Sequence, residues 1–197
     1  MNEKPAKDKA MNEDHFSKEE RKTLLDVARN AIGRKLGKEP ASHEVTPTPK
    51  MEEKRGAFVT LHKKGGLRGC IGRFTSDHAL PKTIEEMARA AAFEDPRFPP
   101  LSPAELADID LEISVLTPMT RVSSVDEIEV GRHGIFMQKG YRRGVLLPQV
   151  ATEHGWDRKT FLEHTCLKAG MSSNCWQDPD LEIYVFSAEI FGEKDLG

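Results

Sequence analysis

From Asp108 to Pro118 the chain reads DIDLEISVLTP, with apolar side chains at Ile109, Leu111, Ile113 and Val115 and mainly polar ones between them. A period of two belongs to a β-strand, whose successive side chains leave opposite faces of the pleat. One face of this strand is therefore buried and the other is polar, the pattern of an antiparallel sheet covered on one side. Any fold open to this chain must supply strands to pair with it and helices to cover its apolar face.

Both are legible. SKEE opens a helix, with Ser17 as N-cap and Glu20 three residues on as the return half of a capping box. Leu24, Leu25, Ala28, Ile32 and Leu36 then recur at helical spacing, and Gly37 can end the run. A second helix begins near Pro81 and carries Ile84, Met87, Ala88, Ala91 and Ala92 on one face. Pro148 starts a short helix ending near Gly155, and Asp157 caps another that aligns Phe161, Leu162, Thr165, Cys166 and Ala169. Strands come as a hairpin in GAFVTLHKKGGLRGCIGRF, a second hairpin turning at Lys139-Gly140, and LEIYVFSAEIF as one long final strand. The expectation is an α+β fold in which the two hairpins and the last strand build an antiparallel sheet flanked by helices. Residues 1–15 are charged, with almost nothing to bury, and are expected to be a disordered tail. EPASHEVTPTPK, with three prolines and no periodicity, is expected to be an extended connector.

The 197 residues suit one ordinary domain, or a domain with a subdomain. A formal net charge of −3 gives no electrostatic footprint for nucleic acid. There is no uninterrupted apolar run of membrane-spanning length and no apolar core to the N-terminal stretch. Cys70, Cys166 and Cys175 are scattered, without CxxC spacing, and read as free thiols suited to a reducing compartment. A cytoplasmic protein is expected. The seven histidines show no HxH or HxxxH spacing, so no metal site is read.

Cys70, in LRGCIG, is the first chemical candidate. A two-residue turn at Lys64-Gly65 or Gly65-Gly66 sets it opposite Val59 or Leu61, on an apolar face where a thiol is a small hydrophobe. A one-residue bulge near the turn, at Gly65 or Gly66, reverses the faces. Strand alternation puts Arg68 on the same face as Cys70, and Arg68 and Arg73 are candidates to favour a thiolate and hold an anion. Gly69 and Gly72 leave room for a ligand or another backbone to approach. A base would have to arrive through folding, from His133 or His62. His133, in GRHG, is a candidate acid or base, or else a turn residue bonded to its own backbone. In EDPRFPP, Asp95 or Glu94 can hold Arg97 at a corner stiffened by prolines. Lys139, Arg142 and Arg143 read as a solvated basic edge.

Taken in order, LRGCIG, AAFEDPRFPPL, LEISVLTP, GRHGI, GVLLPQVA and FLEHTCLKAG resemble the AMMECR domain family, whose prokaryotic members are called AmmeMemoRadiSam system protein A. The resemblance spans roughly residues 17–195. It implies an α+β fold of two subdomains with a cleft between them, bordered by LRGCIG. It also implies association with a Memo-like protein and a radical S-adenosylmethionine protein, while naming no reaction or cofactor. From the residues and the resemblance together, the candidate site holds Cys70 and His133 as catalytic groups, with Arg68, Gly69, Gly72, Arg73 and Arg97 binding a small anionic ligand.

Overall fold

The computed structural model describes residues 15–39 and 46–196. The expected tail, His15 excepted, and the middle of the proline-rich connector lie outside the described residues. The chain divides into two compact units, one formed by residues up to Val115 together with those from Glu189 onward, the other by Leu116–Ala188. The fold is α+β.

In the first unit, helix α1 (Lys18–Lys35) starts at the expected capping box. Glu20 N–H donates to Ser17 Oγ at 3.1 Å, and Ser17 N–H donates to Glu20 Oε2 at 2.8 Å. Strands β1 (Ala57–Lys63) and β2 (Gly66–Arg73) form the first hairpin, and helix α2 (Leu80–Phe93) follows. Strand β3 (Ile109–Leu116) is the alternating segment, and β8 (Ala188–Gly192) returns from the far end of the chain, giving the order β2-β1-β3-β8. Val59 and Leu61 of β1, and Leu111 and Ile113 of β3, meet Leu24, Ala28 and Ile32 of α1 and Ile84, Ala88 and Ala91 of α2 in one buried core. The opposite face of the sheet is polar and half-buried. The C-terminal segment fastens α1: Glu189 accepts from Phe16 N–H and Arg21, and Glu193 from Arg29 and the Leu111 amide.

The second unit holds the antiparallel sheet β4-β7-β5-β6, made of β4 (Thr120–Arg121), β5 (Gly134–Lys139), β6 (Arg142–Leu146) and β7 (Glu182–Phe186). Helices α3 (Pro148–Glu153) and α4 (Arg158–Lys168) accompany it. Its own core gathers Ile135, Met137, Phe161, Leu162, Cys166 and Ile183. Among the described residues no helix is long and apolar enough to cross a membrane.

Three expectations are corrected. The strands build two sheets rather than one. LEIYVFSAEIF is not one strand: it breaks at Ser187 into β7 and β8, which belong to different sheets. At the break Thr117 N–H donates to the Ser187 carbonyl and Ser187 N–H to Thr117 Oγ1, both at 2.9 Å, satisfying the backbone where the ladder stops. Finally, Cys166 and Cys175 are not free thiols but a disulfide. Helix α4 ends at Lys168, and the chain returns within nine residues to bring Cys175 back against the buried Cys166. The cysteine count therefore no longer argues for a reducing compartment.

Candidate functional site

The position of Cys70 is decided by one residue of register. Lys64 and Gly65 form the two-residue turn, both with positive φ (53° and 80°), as a hairpin of right-handed twist requires. Lys63 then faces Gly66 and His62 faces Leu67, and regular pairing from there would set Cys70 against Val59 in the core. Instead the register slips between Leu61 and His62: Leu61 faces Gly69, and Cys70 faces Thr60. This is the bulge alternative, placed beyond the turn rather than within it, and it lifts the thiol off the core face. The apolar partners considered for Cys70, Val59 and Leu61, face Ile71 and Gly69 instead. Cys70 is half-buried and is the one free thiol among the described residues.

β2 is an edge strand, so one side of its backbone has no strand to bond. At Cys70 that side is filled by side chains. Asp95 Oδ2 accepts Cys70 N–H at 2.9 Å, and Arg97 Nη2 donates to the Cys70 carbonyl at 3.1 Å. Arg97 also closes on Asp95 through Nη2 at 2.7 Å and Nε at 2.9 Å. The Asp95 side chain is only 2% exposed, whereas that of Arg97 is 54% exposed. These hydrogen bonds from Arg97, and then those from the Cys70 and Arg97 amides, hold the Asp95 carboxyl well below the usual carboxylate range, against burial, which acts the other way. Because Cys70 turns its N–H and carbonyl outward, Thr60 and Cys70 form a non-hydrogen-bonded pair, in which side chains stand closest. Thr60 Oγ1 accordingly donates to Cys70 Sγ at 3.2 Å.

The expected arginines are each engaged by a carboxylate. Arg68, beside the bulge, is buried and binds Glu105 through Nε at 3.1 Å and Nη2 at 3.2 Å, and the Pro99 carbonyl at 3.0 Å. Lys63 and the Ser102 amide also donate to Glu105, whose carboxyl is held below its usual range, chiefly by Arg68 and then by Lys63. Arg73 pairs with Glu86 at 3.1 Å. The two glycines serve internal packing: a Cβ on Gly69 would lie 2.2 Å from the Ala91 carbonyl oxygen of α2, and one on Gly72 would lie 2.2 Å from the Phe58 ring.

His133 belongs to the second unit, in the turn before β5 that Gly131 makes with φ 87°. Its Nδ1 accepts Glu129 N–H at 3.1 Å, and its own N–H donates to the Glu129 carbonyl. Burial, with Arg132 adding to it, moves its pKa below the ordinary histidine value. Both of these hydrogen bonds tie His133 to Glu129 of its own turn.

Thr60 and the Asp95 clamp on Cys70 escaped the sequence. Asp95 was legible as a partner for Arg97, whereas nothing in the sequence pointed to Glu105 as a partner for Arg68. That both segments close on β2 is a tertiary fact with no local signature.

The AMMECR1 family model matches residues 25–191. A protein of Methanopyrus kandleri is 46% identical over 186 residues, covering 90% of each chain. One from Methanothermobacter thermautotrophicus is 46% identical over 185 residues, covering 90% of this chain and 96% of that protein. The crystal structure of the uncharacterized protein PH0010 from Pyrococcus horikoshii superposes with a TM-score of 0.70 at 42% identity, covering 87% of this chain and 90% of that one. Motifs, fold and relatives agree: this chain belongs to the AMMECR1 family.

Proposed function

We propose that the protein is a small-molecule enzyme that uses Cys70 as its nucleophile. The observation that carries this reading is the Thr60 hydroxyl directed at the Cys70 sulfur at 3.2 Å, on a half-buried polar face. A donor fixed toward an atom that gains negative charge stabilises the charge as it develops. The clamp of Asp95 and Arg97 supports it further, because it holds the backbone of the attacking residue in place before any substrate arrives. The protein works in the cytoplasm in this reading.

The test is Cys70→Ser in a strain that lacks the native gene. Serine keeps the hydrogen bond with Thr60, so the variant folds, with a melting shift within about 4 °C. It fails to complement, since a hydroxyl is far less acidic and far less nucleophilic than the thiol around which the site is arranged. Full complementation by the folded variant overturns the proposal.

A second reading is a non-catalytic partner of a Memo-like or radical S-adenosylmethionine protein. It is favoured by Tyr141, 88% exposed at the tip of the β5–β6 hairpin and beside Arg142 and Arg143, since exposed tyrosine and arginine are the residues interfaces favour. Co-purification with either partner that survives Cys70→Ser and is lost in Tyr141→Ala selects this reading.

A further inference from the structure

On the polar face of the first sheet, Cys70, Thr60 and Glu112 form one cross-strand row, and His62 faces Asp110 in the next. His62 is two residues from Thr60 on β1, so its imidazole leaves the same face as the thiol and stands diagonally across from it, with the slip in β2 between the two rows. Diagonal neighbours in antiparallel strands are roughly 7–8 Å apart at their Cα atoms and closer at Cβ, within reach of a long side chain. Glu112 is the other diagonal neighbour of His62, across on β3.

We infer that His62 is the proton acceptor for Cys70, with Glu112 as the carboxylate that positions its ring. This rests on the reading of Cys70 as nucleophile. The surrounding charges single out these two groups. Asp110 is engaged by Lys194, Lys63 by Glu105, and Arg97 by Asp95 and the Cys70 carbonyl. The side chains of His62 and Glu112 are engaged by no other described side chain, which leaves both free to turn toward the row that holds the thiol. A thiol, an imidazole and a carboxylate on three adjacent strands supply nucleophile, base and orienting group in order. When Cys70 attacks an electrophilic carbon, a sulfur electron pair forms the S–C bond, the thiol proton passes to a ring nitrogen of His62, and the leaving group departs with its bonding pair.

Iodoacetamide is the probe, because its alkylation of the full chain forms that bond and releases iodide without needing a known substrate. Site-resolved mass spectrometry follows Cys70 in the wild type, His62→Gln and Glu112→Gln across pH. The expected result is that His62→Gln slows alkylation at pH 7 by about tenfold. The deficit should vanish near pH 10, because an ordinary thiol ionises at about 8.5 and then needs no base. Glu112→Gln should give a smaller loss of the same pH form. A structural role for His62 would shift rates equally at both pH values. Equal rates in the wild type and His62→Gln overturn the base assignment while leaving a reactive Cys70 intact; an inert Cys70 in the wild type overturns both readings. Should His62→Gln fail to fold, the His62 ring titration read by NMR in the wild type and in Cys70→Ser decides instead. A titration shifted by that substitution supports the pairing, and an unmoved one overturns it.

Discussion

Asp95 and Arg97 hold both backbone polar groups of one residue, the first accepting the N–H of Cys70 and the second donating to its carbonyl, while Arg97 also closes on Asp95. Two side chains thus do for an edge strand what a neighbouring strand does elsewhere, and they do it at a single residue.

Removing the buried partner should therefore cost more than a surface ion pair. Asp95→Ala leaves the Cys70 amide without its acceptor, a loss of about 1–3 kcal/mol. Calorimetry should show a melting temperature lower by about 3–10 °C. Removing the exposed partner, in Arg97→Ala, should move it less. Equal shifts would mean that the clamp is not organised around Asp95.

The paired carboxylates predict the acid limb of stability. Asp95 and Glu105 both titrate lower in the folded chain than in the unfolded one. The unfolded state then binds more protons, so stability rises with pH through this window. Their contribution is complete above the unfolded values of about 3.9 and 4.3 and is lost as the pH falls toward the folded ones. His133, also lowered, adds a loss that begins as the pH drops below about 6.5. Urea midpoints measured from pH 8 to pH 2 should fall in these two stages, with His133→Gln removing the first and Asp95→Asn reducing the second.

Thiol titration tests the disulfide. Denatured but unreduced protein should expose one thiol, that of Cys70, and reduced protein three. With nine residues of separation, opening the Cys166–Cys175 loop should cost about 2.5 kcal/mol. A melting temperature indifferent to reductant would contradict that figure.

Gly69 and Gly72 should respond differently to a methyl group. In Gly69→Ala the new carbon meets the backbone carbonyl of Ala91, which cannot move without displacing α2. A destabilisation of about 3 kcal/mol is expected. In Gly72→Ala the nearest atoms belong to the Phe58 ring, which can turn, although the Ala57 carbonyl oxygen at 2.7 Å limits the relief. A smaller loss is expected, read from urea unfolding of the two variants.

Elements whose cause is local were legible in the sequence. The capping box at Ser17, the buried faces of α1 and α2, and the alternation of β3 all follow from spacing, and the structure repeats them. Local cause does not reach the site. The turn at Lys64-Gly65 was one of two readings, and either one alone sends Cys70 to the core; a slip three residues away returned it to the polar face. No residue type announces such a slip, because it is stabilised by what packs on both sides, including Gly69 against α2 and Arg68 against Glu105. The disulfide was missed for a similar reason. Its cysteines look unrelated until α4 ends and the chain doubles back.

The break at Ser187 bears on how the chain is made. The first sheet holds β1, β2 and β3 early, but its fourth strand, β8, leaves the ribosome only after the whole of Leu116–Ala188. Elongation takes on the order of several seconds to cross that interval. Throughout it β3 presents an unpaired edge, and α1 lacks Glu189 and Glu193, the acceptors for Arg21 and Arg29. The nascent chain thus carries a sticky strand edge for seconds. Newly made chains, rather than finished ones, are where a chaperone would find this protein.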